Sequence, residues 1–394
     1  MSDLGLPQSG DEGEFAKFDL YSVPSPCFVV DEVAIERNLA ILADVKEQSG
    51  AKVLLALKAF SMFALAPLVQ KYLDGTCASG LHEAQLAAKH FGGSLTTFCA
   101  GYKAQDLPEI INLSDHLIFN SVAQKNRFAS IVENARSANQ NVSIGLRVNP
   151  EHSEGHTEKY DPCAPCSRLG IPASQLNASD FDGIDGVHMH TLCEQGFEPL
   201  ERTWAAVLPK LKPFLKNLKW INFGGGHHIT RPDYNRDGLI SFIKDIRNEF
   251  DVDVYLEPGE ACAIDAGILV GEILDLTTND KQLAITDISA TCHMPDVIEA
   301  PYRPAMLGEK QNGQSFLLGG PSCLAGDVIG NYQPAKPFEI GDRFAFLDQA
   351  HYSMVKTNTF NGVPLPSIAV WNSATNRTRI IKQFGFVDFE QRLS

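Results

Sequence analysis

VLLALKAF, Val53 to Phe60, places a lysine inside a run whose other members are all apolar. Burying an ammonium costs several kcal/mol unless it is paired or loses its charge, so the run carries more than packing information. It is also the first of eight similar runs. GTCAS (Gly75–Ser79), LTTFCA (Leu95–Ala100), HLIFN (His116–Asn120), VSIGLRVNP (Val142–Pro150), GVHMHT (Gly186–Thr191), KWINFGGG (Lys219–Gly226) and VDVYLEPG (Val252–Gly259) follow it. Each is short and apolar and most are closed by Gly, Pro, Asn or Ser, as buried parallel strands are. Helical patterns lie between them, including LHEAQLAAKHFGG, SVAQKNRFASIVENARSAN and FEPLERTWAAVLPKLKPFLKNL. A further helix, DEVAIERNLAILADVKEQSG, precedes the first run, with Asp31 placed to cap it and Gly50 to end it. Eight strands alternating with helices over this length predict an α/β chain built on a (β/α)8 barrel, expected over 33–264.

After about Asp265 the texture changes. GILVGEILDLT, KQLAITDIS, SFLLGG, DRFAFLD, PSIAVWN and RTRIIKQF are strand-like runs without long helices between them, which predicts an antiparallel β domain over 265–394. Residues 23–32 are expected to add a strand to it, and 1–22, polar and acidic, to form a disordered lead-in. The 394 residues carry 33 basic and 48 acidic side chains, a formal charge of −15 that disfavours nucleic acid and suits a cationic small molecule. No apolar run is long enough for a membrane span, and the N-terminus is unlike a secretory signal. Nine cysteines, an odd number, suit reduced thiols, so a cytoplasmic protein is expected.

Barrel chemistry is built at the C-terminal ends of the strands. Those ends carry Lys58, Arg147, His188 and His190, Gly224 to Gly226, and Glu257. A desolvated lysine is suited to forming an imine with an aldehyde, although a snorkelling strand-end lysine gives the same letters. Three successive glycines in FGGGHH let backbone approach an anion such as phosphate, as they also allow a tight turn. A strand-end acid, Glu257, can pair with a protonated pyridine nitrogen or simply with a neighbouring base.

Lysine, glycine loop and acid together resemble the fold-type III pyridoxal phosphate (PLP) decarboxylases, the ornithine decarboxylase-like and alanine racemase-like enzymes. The resemblance runs from about Val23 to Asp388. It implies Lys58 as the Schiff-base lysine, His190 stacked on the cofactor ring, Cys193 near the phosphate and Arg147 near the phenolic oxygen. CASGLHEAQL is similar to a segment contributing Ser79 and Glu83. GGPSCLAGD resembles a loop whose cysteine enters the partner subunit's site, implying Cys323 as proton donor, Asp327 as a substrate or loop residue, and an obligate homodimer. QAHYSMVKTNTFNG is similar to the segment whose tyrosine contacts phosphate, implying Tyr352.

Two departures are informative. MPDVIEAPYRP presents Asp296 and Glu299 where diaminopimelate-type relatives have an arginine, so the substrate's far end is expected to be cationic, a carboxylated polyamine. Glu260 in EPGE replaces an arginine that contacts phosphate in many relatives. The remaining rivals are another basic amino acid as substrate, a non-catalytic relative, and a metal site using CAPC (Cys163, Cys166) with the histidine pairs; the expectation here is no metal.

Overall fold

A computed structural model describes residues 10–138, 141–155 and 157–394. The chain divides into two compact units, one formed by 38–262 and the other by 1–37 with 263–394.

In chain order the strands are β1 (Cys27–Asp31), β2 (Lys52–Ala56), β3 (Gly75–Ala78), β4 (Ser94–Phe98), β5 (His116–Phe119) and β6 (Ser143–Asn149). Next come β7 (Ile171–Pro172), β8 (Gly186–His188), β9 (Trp220–Asn222) and β10 (Asp253–Leu256). Seven more follow: β11 (Gly267–Asn279), β12 (Lys281–Thr286), β13 (Phe316–Gly319), β14 (Val328–Tyr332), β15 (Arg343–Leu347), β16 (Ser367–Asn372) and β17 (Arg377–Lys382).

All eight apolar runs of the first unit are strands. They pair in parallel in the order β5-β4-β3-β2-β10-β9-β8-β6, and a further β5–β6 pairing closes the ring. The two-residue β7 is an appendage on β6. Aromatic rings fill part of the interior. The Trp220 indole stacks on His116 at 4.9 Å and donates from Nε1 to Ser143 Oγ at 2.8 Å. That ring explains two glycines, because a Cβ at Gly145 or Gly186 would come within 2.3 Å or 2.0 Å of it.

The helix Glu32–Ser49 leads into the barrel, its second turn carrying the chain from one unit to the other. The Asp31 carboxylate accepts from the Val33 N–H at 3.1 Å, as expected of the cap. Gly50 ends the helix at φ +73°, where a side chain would be strained.

The second unit is a mixed sheet in the order β14-β13-β12-β11-β1-β16-β17, with β15 also on β11. Most pairings are antiparallel, but β1 runs parallel to β16 and β12 parallel to β13. β1 thus lies between β11 and β16. Its core gathers Phe28, Leu269, Ile273, Phe316, Tyr332 and Phe346 among others.

One expectation fails. Residues 1–9 lie outside the described residues, but 10–22 are not a disordered lead-in. Phe15 and Phe18 are buried against Trp371, with ring centroids 5.3 and 5.1 Å away. Burying two phenylalanine side chains contributes several kcal/mol, about 1.5 to 3 each, which outweighs the polarity of the surrounding letters. Among the described residues no helix is long and apolar enough to cross a membrane.

Candidate active site

The strand ends of the barrel bring six expected residues together. Lys58 lies two residues beyond β2, His190 two beyond β8, Gly224 two beyond β9 and Glu257 one beyond β10, while Arg147 is within β6 and Ser79 just past β3.

Lys58 is solvent-accessible, and its Nζ lies 3.0 Å from His190 Nε2. The Gly225 N–H donates to His190 Nδ1 at 3.0 Å. A neutral ring that accepts at Nδ1 carries its proton on Nε2, so the imidazole offers a hydrogen to the lysine nitrogen. That arrangement suits an uncharged amine. Desolvation lowers the Lys58 pKa from the usual lysine value; the Cys77 thiol opposes the shift and the Arg147 charge reinforces it. Burial first, and after it the neighbouring basic groups, hold His190 well below the ordinary histidine range.

Glu257 is buried, and both carboxylate oxygens have donors. His188 Nε2 stands 3.1 Å from Oε2, and Asn222 Nδ2 donates to Oε1 at 2.7 Å. Burial alone would raise its pKa, but His188 and Asn222 outweigh it and the net shift is downward, so Glu257 is a carboxylate at neutral pH. The Phe98 ring stacks on His188 at 5.6 Å and lies 4.5 Å from the Arg147 guanidinium. Arg147 donates to the His190 carbonyl at 3.0 Å; burial lowers its pKa to about 10, and it remains a cation.

The glycine loop owes its composition to crowding. A Cβ at Gly225 would sit 2.1 Å from the Glu257 carbonyl oxygen, and one at Gly226 1.9 Å from that of Leu192. Gly224 and Gly226 also have φ of +66° and +85°. The three glycine N–H groups are not equally placed to meet an anion. The Gly224 N–H donates to Asn222 Oδ1 at 2.8 Å and that of Gly225 to His190, so these two serve by shape rather than as donors.

Ser79 is exposed, its N–H given to Glu83 Oε2 at 2.6 Å. The Cys193 N–H points to Gln195 Oε1 at 3.4 Å. Cys163 and Cys166 lie in the segment after β6, and burial pushes the Cys163 thiol up to about 12. No group of three or more His, Cys, Asp or Glu side chains arranged for a metal occurs among the described residues.

In the sheet unit, Asp296 and Glu299 share the short helix Asp296–Glu299. Both face the Lys356 ammonium, which lies 3.2 Å from Glu299 Oε2 and closer still to Asp296 Oδ1. Burial works against that charge, but the two carboxylates outweigh it and raise the Lys356 pKa above the usual value. Cys323 is exposed on its loop, anchored by its N–H to Asn361 Oδ1 at 2.9 Å, and Leu324 and Phe360 are exposed as well. Asp327 differs from expectation as a substrate residue. It is buried, and its oxygens accept from Ser289 Oγ at 3.0 and 2.8 Å, Ser322 Oγ at 2.6 Å and the Thr291 N–H at 3.2 Å. A carboxylate so saturated is a loop anchor. Tyr352 opens the short helix Tyr352–Val355, beside His351.

Three contributors escaped the sequence reading. Asn222 is a buried amide in an apolar strand run, and that misfit was its signal. Cys77 faces Lys58 and Glu257, its pKa raised well above the thiol range by burial and then by the Glu257 charge. Lys356 lies in a quoted segment but gave no sign of its acidic partners.

A lysine amine whose pKa is lowered by desolvation, a doubly donated carboxylate, a buried arginine and a loop that admits no side chain define an enzyme that uses PLP. The family description "Pyridoxal-dependent decarboxylase, C-terminal sheet domain" matches residues 27–350, and the chain belongs to this family of PLP-dependent carboxy-lyases. It is 39% identical over 384 residues to the carboxynorspermidine/carboxyspermidine decarboxylase of Campylobacter jejuni, covering 94% of this chain and 98% of the relative. The same identity, 39% over 379 residues, relates it to the carboxyaminopropylagmatine decarboxylase of Synechocystis sp., covering 95% and 96%. The crystal structure of C. jejuni carboxynorspermidine decarboxylase complexed with norspermidine is similar, with a TM-score of 0.85 at 38% identity, covering 94% of this chain and 100% of that one.

Proposed function

We propose that this enzyme removes the carboxylate of carboxynorspermidine, and of carboxyspermidine, to release norspermidine or spermidine. Bound PLP supplies an aldehyde that condenses with amines and a ring that accepts the electron pair left when CO2 departs. Lys58, its pKa lowered by desolvation, would be the amine that holds the cofactor until a substrate amine takes its place. Glu257, kept ionised by His188 and Asn222, would hold a proton on the ring nitrogen. Arg147 would be the cation for the phenolic oxygen and His190 would cover the ring. Ser79, Cys193 and Gly226 would complete the barrel's part of the cofactor's surroundings, and Tyr352 is assigned to the phosphate by the resemblance of its segment. Cys323, on an exposed loop, donates the proton that replaces CO2, acting in a partner's site within a homodimer.

The observation that carries the substrate reading is the Asp296–Glu299 pair closed on Lys356. A lysine side chain ends in an alkylammonium, as a polyamine does, so the pairing supports these acids as partners for such a group, which would have to displace Lys356. The equal identity to the carboxyaminopropylagmatine enzyme supports a second reading, in which the distal group is a guanidinium.

Product analysis separates them. With the PLP-loaded enzyme and carboxynorspermidine, carboxyspermidine, carboxyaminopropylagmatine, ornithine and diaminopimelate offered separately, kcat/KM is expected to be highest for the first two, by about tenfold or more. Asp296→Asn with Glu299→Gln should raise KM roughly tenfold with little change in kcat, the mark of lost distal binding. Preferred turnover of carboxyaminopropylagmatine would move the assignment to the second reading, and preferred turnover of ornithine or diaminopimelate would reject both.

A further inference from the structure

Cys323 sits where packing offers little restraint. Residues 320–327 join β13 to β14, and Leu324 there is 43% exposed, as is Phe360 on the turn that Cys323 bonds to. A surface loop without buried apolar contacts opens easily. Handing a proton to a carbon atom needs the opposite, since a displacement of about 1 Å can cost on the order of a hundredfold in rate. Hydrogen bonds are left to supply the order.

They form a closed circuit within the sheet unit. Ser322 Oγ donates to Asp327 Oδ2 at 2.6 Å and the Asp327 N–H donates to the Leu324 carbonyl at 2.9 Å, so the residues on both sides of Cys323 are tied to Asp327. The same carboxylate takes Ser289 Oγ and the Thr291 N–H, at the start of the short helix Ala290–His293. Residues 358–362 are fastened to that helix as well. The Asn358 N–H donates to the Cys292 carbonyl at 2.9 Å and its Nδ2 to the Thr291 carbonyl at 2.8 Å, while its Oδ1 accepts from the Phe360 N–H at 2.9 Å. The bond from the Cys323 N–H to Asn361 Oδ1, at 2.9 Å, closes the circuit. Asn361 has φ +59°, in the left-handed region that glycine enters freely, as Gly362 does at +71°. Asparagine is tolerated there and brings what glycine lacks, an amide oxygen.

We infer that Asn361 is a positioning residue for the proton transfer: its amide oxygen holds the Cys323 backbone at the place from which the thiol gives its proton. The inference rests on the reading of Cys323 as proton donor. In that step the S–H bond breaks as a C–H bond forms at the carbon that has lost CO2, and the sulfur regains a proton from water. Asn361 itself makes and breaks no covalent bond.

Amide hydrogen exchange of the peptide carrying Cys323, measured beside steady-state kinetics on the PLP-loaded full-length enzyme, tests this. Asn361→Gly keeps the backbone conformation and deletes the acceptor, whereas Asn361→Asp keeps an acceptor oxygen. The glycine variant should exchange the Cys323 amide about tenfold faster or more and lose about tenfold in kcat, with KM within twofold of the wild type. The aspartate variant should bring both readouts back to within about threefold. Cys323→Ala alone should cost about a hundredfold in kcat, and adding Asn361→Gly to it should cost nothing further, because the held thiol is already gone. Unchanged exchange in Asn361→Gly, faster exchange with unchanged kcat, or a further tenfold loss in the double variant would each overturn the inference. Should Asn361→Gly be insoluble, Asn361→Ala takes its place in the same comparisons. An unchanged kcat in Cys323→Ala would instead remove the proton-donor reading, leaving the bond a purely structural one.

Discussion

Lys58→Ala is expected to lower kcat/KM by roughly three orders of magnitude or more and to abolish the visible absorbance of the bound cofactor. The size of the effect follows from what the nitrogen does. His190 offers it a hydrogen at 3.0 Å, and desolvation favours its uncharged form, the form that attacks a carbonyl carbon. Alanine leaves no amine there, and the methyl fits the space, so the barrel should fold with unchanged stability within about 1 kcal/mol. If sites are shared between subunits, mixing Lys58→Ala with Cys323→Ala protein should restore activity, up to about a quarter of the wild type in an equal mixture, because some dimers then hold one intact site. Wild-type turnover in the alanine variant would contradict the role of Lys58, and failure of mixing would contradict the role of Cys323 across the dimer.

Glu257→Gln should lower kcat about a hundredfold or more while leaving KM within a few-fold. The amide keeps the shape and can still meet Asn222, now 2.7 Å from Oε1, so the loss is one of charge rather than of packing. Without an anion there, the ring nitrogen of a bound cofactor would hold its proton less firmly and the ring would accept electrons less readily. Removing a carboxylate between His188 and Asn222 also leaves His188 with one fewer partner for its buried ring, so a modest stability loss, about 1 to 2 kcal/mol, should accompany the kinetic one. Rapid-mixing measurement of CO2 release separates this chemical step from binding. An unchanged kcat would show that the ring needs no buried carboxylate.

Much of this was legible in the letters, for physical reasons. Parallel strands buried on both faces are continuous apolar runs, so all eight barrel strands could be found, and with them the end of the barrel where Lys58, His190 and Glu257 meet. The strand Val328–Tyr332 was not found, because VIGNY spends Gly and Asn at its centre and lacks the alternation of a half-buried strand. The packing of Phe15 and Phe18 on Trp371 is a contact across more than three hundred positions, and acidic neighbours hide it. Partnerships of charged groups were the least legible. Asp296 and Glu299 were readable as acids for a cation, but not as acids already holding Lys356. Asp327 was readable as a loop residue, but not as one whose carboxylate is filled by Ser289 and Ser322. Such pairings depend on which turns approach each other in space, which no local pattern encodes.

The most direct measurement is chemical. Reduction of the cofactor-loaded enzyme with borohydride, proteolysis and mass mapping should place the reduced cofactor on the peptide carrying Lys58, with the protein bleached and inactive. Label on another lysine, or none after bleaching, would contradict the account at its centre.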